Sequence, residues 1–250
     1  MVDFQKIVNY IFVKQNNKDT KCPGLGSDLK TINNQLKECE YISYTNNDEL
    51  TGVIVYTYNS EVLNILFAHL SDNSFNDKLK TLQNELKPKL INFTISNDNK
   101  LNDTIEMKLK KLSYALEINH SIKETKVEGL AVCSYMPYIF DEYASLHKNV
   151  NKSILKQMTK DKSYHIYTAI YNNDLIGYID INYNKCYEIQ DLYLVNNYYK
   201  KEFIMAMVYN ASKKVNDRNK MHIITSDELL INTLLECGFK IIDSAISYYL

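Results

Sequence analysis

The chain carries an internal repeat whose spacing is half its length. Residues 47–52 read NDELTG and residues 172–177 read NNDLIG, and the β-forming segments VIVYTYN and YIDINYN follow them directly. Gly52 and Gly177 therefore lie 125 residues apart in a chain of 250. A repeat of this length constrains the fold strongly, because each copy must be a unit that can pack as its neighbour does.

A second match falls in the same phase near the end of each half. The spacing of 125 residues also pairs Leu109 with Leu234, and Ser113 with Gly238. Chance alignment of Asn-rich turns explains the first match alone, but it explains a later match in phase less well. We therefore predict two domains of ordinary size, residues 1–125 and residues 126–250.

The second half reads as a regular alternation of strands and helices. A proline opens its first helix, an Asn-Asn-Asp turn separates two strands, and an apolar stripe at helical spacing follows the next strand. The predicted strands are Leu130–Tyr135, His165–Tyr171, Leu175–Tyr183, Tyr187–Val195, Met221–Thr225 and Lys240–Tyr249. The predicted helices are Pro137–His147, Asn151–Thr159, Lys201–Val215 and a last one, capped by Ser226 or Asp227, that ends before Gly238.

The first half shows the same order from Tyr41 onward, after two opening helices. One opening helix covers residues 4–12 and the other starts near Ser27 or Asp28. The later predicted elements are a hairpin around residues 46–49, strand Val62–Leu70, helix Asp77–Leu86, strand Leu90–Ile95 and helix Asp103–Leu112. The predicted fold class is thus α/β (α+β), with two tandem units, each a mixed, mostly antiparallel sheet flanked by helices.

Composition excludes several classes of protein. The formal net charge is −1 and no polybasic tract occurs, which argues against nucleic acid as a partner. The longest apolar stretches are far shorter than the roughly 20 residues that span a bilayer, so no membrane partner is expected. Five widely spaced cysteines form no Cys-x-x-Cys pair, and we predict neither disulfides nor a metal site. We expect a cytoplasmic monomer or homodimer.

The order of elements in the second half resembles the GNAT acyltransferase (N-acetyltransferase) superfamily. The resemblance rests on that order, on the segment DLYLV at residues 191–195 before the central helix, and on Gly238-Phe239 after the next helix. It covers residues 130–250 well and residues 40–124 weakly. It implies that two strands diverge and that acetyl-CoA, or another acyl-CoA, lies in the gap between them as cosubstrate.

The resemblance also assigns binding residues. Backbone N–H groups at the start of the central helix hold the diphosphate in this family, as any helix N-terminus favours an anion. The cofactor-binding residues it implies are Leu194, Val195, Tyr199, Lys200, Lys201, Glu202, Phe203 and Ile204. The family's loop has Gln or Arg, then Gly, then Gly or Ala, where this chain has Tyr199, Glu202 and Ile204.

The catalytic residues that the resemblance implies lie on the central strand. A carboxylate near this strand deprotonates the amine in the family, and Glu188 and Asp191 occupy that level. A tyrosine on the last helix often protonates the departing thiolate, but Leu234 holds that position here. Tyr193 on the strand, and Tyr198 and Tyr199 after it, are alternative proton donors from another direction. Either carboxylate has the alternative of simply facing solvent.

Two functions follow from these observations. The first is acyl-CoA-dependent N-acyl transfer, with acetyl passed to a small-molecule primary amine. The second is a catalytically inactive tandem GNAT-like module that binds a small ligand or a partner. The charge of Glu202 and the branched side chain of Ile204 favour the second, whereas backbone amides perform most of the phosphate binding in this fold and favour the first.

Overall fold

The computed structural model describes residues 2–118, 122–147, 150–184, 186–215 and 221–249. The chain divides into two compact units, the first made of residues 1–113 with 244–250 and the second of residues 114–243. The sequence placed the division between residues 125 and 126. The difference arises because residues 245–249 pair with a strand of the first unit, and residues 114–117 pair with a strand of the second.

The first unit opens with two helices, as its apolar spacing predicts, and continues with a hairpin. Asp28 caps the second helix by accepting a hydrogen bond from the Thr31 amide. The elements are α1 (Phe4–Gln15), α2 (Leu29–Leu36), β1 (Glu40–Asn46), β2 (Glu49–Tyr58), β3 (Val62–Leu70), α3 (Phe75–Leu86), β4 (Leu90–Ser96) and β5 (Lys108–Ile118). The strand order is β1-β2-β3-β4, followed by the end of β11 (Phe239–Tyr249).

The second unit repeats this plan. Its remaining elements are β6 (Leu130–Ser134), α4 (Phe140–Leu146), α5 (Lys152–Met158), β7 (Tyr164–Tyr171), β8 (Asp174–Asn184), β9 (Cys186–Leu194), α6 (Lys201–Lys214), β10 (Met221–Thr225) and α7 (Glu228–Cys237). The strand order is β6-β7-β8-β9-β10, followed by the end of β5. β9 and β10 run parallel, and the other pairings are antiparallel.

The repeat is visible in the backbone of the two hairpins. Asn47 and Asp48 have φ of 49° and 64°, and Asn172 and Asn173 have φ of 50° and 73°. Two consecutive left-handed residues form the turn that best matches strand twist in a hairpin, and Asn and Asp tolerate it. The first strand of each hairpin also shifts register at matched places, after Tyr44 and after Ala169. The similar sequences at these two places therefore form hairpins of the same geometry.

A β-bulge recurs in the strand that follows each hairpin. In the first unit Val55 pairs with Phe67 and Tyr56 with Ile65, which leaves Leu66 unpaired. In the second unit Asp180 pairs with Asp191 and Ile181 with Ile189. The second bulge therefore leaves Gln190 unpaired, 124 residues after Leu66. A bulge adds one residue to one strand and turns every later side chain to the opposite face.

The predicted helix Asp103–Leu112 is wrong. Only a short 3-10 helix, Lys100–Asp103, forms there, and residues from Lys108 onward make strand β5. Leu116 and Ile118 are fully buried and Glu117 between them is partly exposed, which is the period of a strand. Leu109 thus lies in a strand and Leu234 in helix α7, so the second repeat match does not reflect equivalent structure.

Each unit has its own apolar core. In the second unit, one sheet face packs against α6 and α7 through Ile179, Ile181 and Ile189. The opposite face packs against α4 and α5 through Tyr178 and Ile166, and we call it the α4 face. No helix in the described ranges is long and apolar enough to cross a membrane.

Gly52 and Gly177 occupy matching places in the two units but have different neighbours. A Cβ on Gly177 would collide with the carbonyl oxygen of Tyr193, whereas a Cβ on Gly52 would first meet a methyl group of Leu70, with the His69 carbonyl oxygen 3.0 Å away. We expect Gly177→Ala to lower the free energy of unfolding by about 1–3 kcal/mol, and Gly52→Ala by less, because a side chain yields more readily than a backbone. Urea titrations of both variants measure this, and equal losses would contradict it.

Candidate active site

Helix α6 begins directly after the central strand β9 and has an open N-terminus. Lys200 occupies the capping position and its side chain makes no capping hydrogen bond. The amides of Phe203 and Ile204 both donate to the Lys200 carbonyl at 3.1 Å. Within the described part of the chain, the amides of Lys201 and Glu202 have no backbone acceptor. These two N–H groups and the helix dipole present a positive end to an anion.

The predicted binding residues at this helix take different positions. The Tyr199 hydroxyl donates to the carboxylate of Asp227, which caps α7, and burial raises the pKa of that phenol. The ammonium of Lys201 pairs with Glu236. Phe203 and Ile204 are buried in the core. The side chains of Lys200, Lys201 and Glu202 are exposed next to the open amides, and of these three only Lys201 has an ion-pair partner among the described residues.

Ile204 is fully buried, so its branched side chain points into the core and away from the helix N-terminus. The amide of Val195, in the same predicted binding segment, donates to the Ile176 carbonyl at 2.8 Å. Leu194, buried as well, pairs with Gly177 across the hairpin. The open amides are thus two residues of α6, not the whole predicted segment.

The parallel pairing of β9 with β10 stops before either strand ends. The last pair is Ile189 with Ile223, although β9 continues to Leu194 and β10 to Thr225. On its other side, β10 stays paired with β5 through Thr225. Backbone groups of β9 beyond Ile189 are therefore not paired with β10, which is the divergence that the sequence resemblance implied.

The bulge at Gln190 brings the predicted catalytic residues onto one face. Glu188 pairs with Asn182, Asp191 with Asp180 and Tyr193 with Tyr178. Residues 178, 180 and 182 alternate along one strand and share the α4 face, and cross-strand partners point the same way. Without the extra residue, Glu188 would face away from Asp191 and Tyr193.

Glu188 and Asp191 have different partners. Glu188 Oε2 lies 3.9 Å from His222 Nε2 on β10, and both side chains are partly exposed. Asp191 is exposed, and its Oδ2 accepts a 2.6 Å hydrogen bond from the Tyr178 hydroxyl. The ring of Tyr193 stacks on that of Tyr178 with centroids 5.7 Å apart. Asp191 is therefore held in place while it remains open to solvent.

A buried polar cluster lies behind Asp191, and the sequence reading missed it. Asp180 is 1% exposed and its Oδ2 accepts from the Tyr143 hydroxyl at 2.8 Å. His147 Nε2 lies 3.5 Å from the same oxygen, and His147 Nδ1 lies 3.1 Å from the Tyr178 hydroxyl. Asp180 Oδ1 and His147 Nε2 have no hydrogen-bond partner among the described residues.

Burial governs the titration of this cluster. Burial outweighs the opposing Tyr143 hydrogen bond and, together with the negative charge of Asp191, raises the pKa of Asp180 to about 7. It lowers the pKa of His147, against the attraction of Asp191 for the protonated ring. It also raises the pKa of Tyr143 and Tyr178, whose phenols face these carboxylates. The cluster therefore contains a carboxyl that titrates near neutrality.

One signal in the sequence could have revealed the cluster. Ile179 and Ile181 belong to one apolar face of β8, and Tyr178 is buried on the other. A strand that is buried on both faces excludes charge unless the charged group has partners. Asp180 in the middle of such a strand is the anomaly. Its partners Tyr143 and His147 come from a helix more than 30 residues earlier.

The first unit carries apolar residues at the matching places. Val53 and Val55 correspond to Tyr178 and Asp180 at the repeat spacing, and Phe67 pairs with Val55 as Asp191 pairs with Asp180. All three are fully buried. The polar cluster is therefore specific to the second unit.

The first unit has a cavity of about 360 Å³ at the end of β3. The Tyr10 hydroxyl contacts His69 Nδ1 at 2.6 Å there, and Lys14 and Lys100 also line the cavity. Lys100 pairs with Asp19 at 2.8 Å. Burial and the charge of Lys14 lower the pKa of His69 to about 4. The sequence reading predicted no site in this half.

The described side chains form no cluster of three or more histidine, cysteine or acidic groups that could hold a metal ion. No protein-family model matches the chain, and no curated protein matches it.

Solved structures share the fold of this chain. A tandem GNAT protein from the clavulanic acid biosynthesis pathway superposes with a TM-score of 0.56 and 7% identity, over 85% of this chain and 82% of that one. An acetyltransferase of the GNAT family from Colwellia psychrerythraea gives 0.55 and 10%, over 100% and 98% of the two chains. A fungal multi-domain beta-N-acetylglucosaminidase with a glucosamine N-acetyltransferase region gives 0.67 and 10%, over 100% of this chain and 37% of that one.

These identities are low, so the similarity shows the fold alone. The chain has the GNAT N-acetyltransferase fold, and the predicted fold class is confirmed.

The buried carboxyl predicts how stability depends on pH. Because folding raises the pKa of Asp180 from 3.8 to about 7, the folded state keeps a proton that the unfolded state loses. The contribution of Asp180 to the free energy of unfolding therefore falls as pH rises from about 4 to about 7. We expect Asp180→Asn to remove this fall, worth roughly 4 kcal/mol at about 1.4 kcal/mol per pKa unit.

Urea titrations of the parent and of Asp180→Asn across this pH range measure the difference. Asp141→Asn is the matched control, because Asp141 is an exposed residue of the adjacent helix α4. We expect the control to follow the parent. Parallel curves for the parent and Asp180→Asn would show that Asp180 does not titrate in this range.

Proposed function

We propose that this protein is an acyl-CoA-dependent N-acyltransferase that passes an acetyl group to a small primary amine from an active site in its second unit. The observation that carries the proposal is the position of Asp191. This exposed carboxylate lies on β9 just beyond the last residue paired with β10, and the Tyr178 hydroxyl holds it at 2.6 Å. The GNAT fold of the chain supports the same class of reaction.

The start of α6 supports binding of the diphosphate of acetyl-CoA. Two open amides and the positive end of a 14-residue helix attract an anion, and Lys200 adds a positive charge. Glu202 in the first turn opposes this attraction. The residues present fit an anionic ligand in their backbone geometry and carry one unfavourable charge.

The proposed chemistry uses the side chains on the α4 face. Asp191 accepts the proton of the amine, whose nitrogen attacks the thioester carbonyl; the C–N bond forms and the C–S bond breaks. Tyr193 supplies a proton to the departing thiolate and regains one from solvent. Glu188, next to His222 at 3.9 Å, assists in binding the amine as an ammonium ion, which releases one proton to solvent before its nitrogen attacks. Leu234 is fully buried in α7 and takes no part.

Acetyl-CoA binding tests the donor site. We expect calorimetry to detect binding to the parent and to show about two- to fivefold tighter binding to Glu202→Gln, because a negative charge leaves the helix N-terminus. Glu202→Gly, which also removes the side chain, is expected to bind at least as tightly. Lys200→Glu is expected to weaken binding by a similar factor.

Lys14→Glu is the control, since Lys14 lines the cavity of the first unit. If Lys14→Glu weakens binding and Lys200→Glu does not, the donor binds in the first unit. Absence of heat from the parent and from both Glu202 variants would overturn the proposed function and favour the inactive module.

Substitution of the two carboxylates tests the choice of base. In an assay of thiol release with a panel of small primary amines, we expect Asp191→Asn to lower kcat by about 10² or more, a usual contribution of general base catalysis. Acetyl-CoA affinity is expected to stay unchanged. Glu188→Gln is expected to raise KM for the amine with a smaller loss of kcat. The reverse pattern would assign the base to Glu188.

A further inference from the structure

A continuous line of polar contacts joins the exposed Asp191 to the buried Asp180. Asp191 Oδ2 contacts the Tyr178 hydroxyl at 2.6 Å, and this hydroxyl contacts His147 Nδ1 at 3.1 Å. On the other side of the ring, His147 Nε2 faces Asp180 Oδ2 at 3.5 Å. The first two contacts are within hydrogen-bond distance, and the third reaches that distance after a small movement of either side chain.

These four side chains can adopt two protonation states. A phenol has one proton, and the shorter contact assigns that of Tyr178 to Asp191. His147 Nδ1 must then donate to the Tyr178 oxygen, which leaves Nε2 and Asp180 Oδ2 as two acceptors that face each other. A proton between them relieves this conflict. We call this the loaded state.

In the other state this proton is absent. His147 then carries its hydrogen on Nε2, directed at the ionised Asp180, and Nδ1 accepts from the Tyr178 hydroxyl. Asp191 loses the donor that neutralised part of its charge and is open to accept a proton. We call this the empty state. The two states differ by one proton and by the side of the imidazole ring that carries hydrogen.

We propose that Tyr178, His147 and Asp180 form a buried proton relay that takes the amine proton from Asp191 and stores it on the His147–Asp180 pair. This inference rests on the proposed function. The three residues are positioning residues that act through Asp191, and they do not touch the substrate.

The proton balance of the relay is complete. The amine N–H bond breaks and its proton goes to Asp191. Asp191 gives it to the Tyr178 oxygen, the Tyr178 proton passes to His147 Nδ1, and the Nε2 proton passes to Asp180 Oδ2. Asp191 is ionised again, Asp180 is protonated, and no electrons are exchanged. The proton returns to solvent by the reverse route.

The fold itself does not require these polar residues. At the matching places of the first unit, Val53, Val55 and Phe67 build the same bulge with fully buried apolar side chains. Burying a carboxyl with an unpartnered oxygen costs free energy that a valine does not cost. The second unit thus carries a polar cluster that costs folding free energy, whereas the first unit fills the matching place with apolar side chains.

The groups that face the Asp180–His147 pair come from every element around it. Tyr143 on α4 and Tyr178 on β8 contact the pair directly, and β7 presents the apolar Ile166 opposite Asp180. Around them, Asp191 and Tyr193 on β9 contact Tyr178, and Tyr135 after β6 packs on Tyr143. The nearest charge is that of Asp191, which favours protonation of the pair. The pair is therefore expected to load as pH falls through about 7, where Asp180 titrates.

Nitrogen NMR of histidine-labelled protein tests the pair without any acyl donor. His147→Gln identifies the His147 signals among those of the five histidines. We expect the hydrogen of His147 to move from Nε2 to Nδ1 as pH falls through about 7, and Asp180→Asn to abolish the move. Tyr143→Phe is the matched control, because it removes a hydrogen bond that stabilises ionised Asp180 and leaves the line intact. It should keep the move and shift it to higher pH.

Carboxyl-labelled aspartate tests the connection to the surface in the same samples. The Asp191 carbon signal is expected to change at the pH of the His147 move in the parent, and not in Tyr178→Phe, which keeps the ring and lacks the hydroxyl. An unchanging His147 tautomer in the parent, or an Asp191 response that survives Tyr178→Phe, overturns the relay even if acetyl transfer is measured.

Transfer assays add the catalytic readout. We expect kcat/KM of the parent to rise with pH through the pH at which the His147 hydrogen changes nitrogen. Tyr178→Phe is expected to lose this inflection and to lower kcat about tenfold or more. An inflection that persists in Tyr178→Phe overturns the relay. If no amine is acetylated, the proposed function fails, whereas a tautomer move coupled to Asp191 still supports the proton path.

Discussion

The arrangement of the candidate site depends on one extra residue in β9. Because side chains alternate along a strand, Glu188 and Asp191 would face opposite sides of a regular sheet. The bulge at Gln190 restores them to one side and places Asp191 opposite Asp180 and Tyr193 opposite Tyr178. Strand β9 also stops pairing with β10 next to this bulge, after Ile189. The bulge thus brings together the carboxylates, the tyrosines and the divergence of the two strands.

The two units show what one scaffold can hold with different side chains. Hairpin turns, register shifts and bulges recur at matched positions. The first unit fills the region behind its bulge with Val53, Val55 and Phe67, and it opens a cavity at the end of β3 next to His69. The second unit fills the same region with a phenol, a carboxyl and an imidazole. The backbone is alike at these positions of the two units, whereas the chemistry of their side chains differs.

Backbone geometry and side-chain chemistry contribute differently to the anion site. The open amides of Lys201 and Glu202 follow from the junction of a strand and a helix, whatever side chains are present. The charge of Glu202 counteracts them, and burial of Ile204 removes that residue from the approach of a ligand. Departure from a glycine-rich loop therefore changes the electrostatics of this helix end more than its shape.

The sequence determined the hairpins, most helices and the order of elements, because turn residues, caps and hydrophobic periods are local signals. The later half of the helix expected at Asp103–Leu112 is the start of strand β5, whose continuation pairs with β10 at Leu116 and Ile223; this long-range pairing outweighed local propensity. The sequence also named Glu188, Asp191 and Tyr193, but only a bulge gives them a common face. Tyr143 and His147 meet Asp180 through packing of α4 on β8, a contact between residues more than 30 positions apart that no local pattern encodes. The tertiary structure alone decided this cluster, because a buried carboxyl acquires its partners, and with them its pKa, only when distant elements close around it.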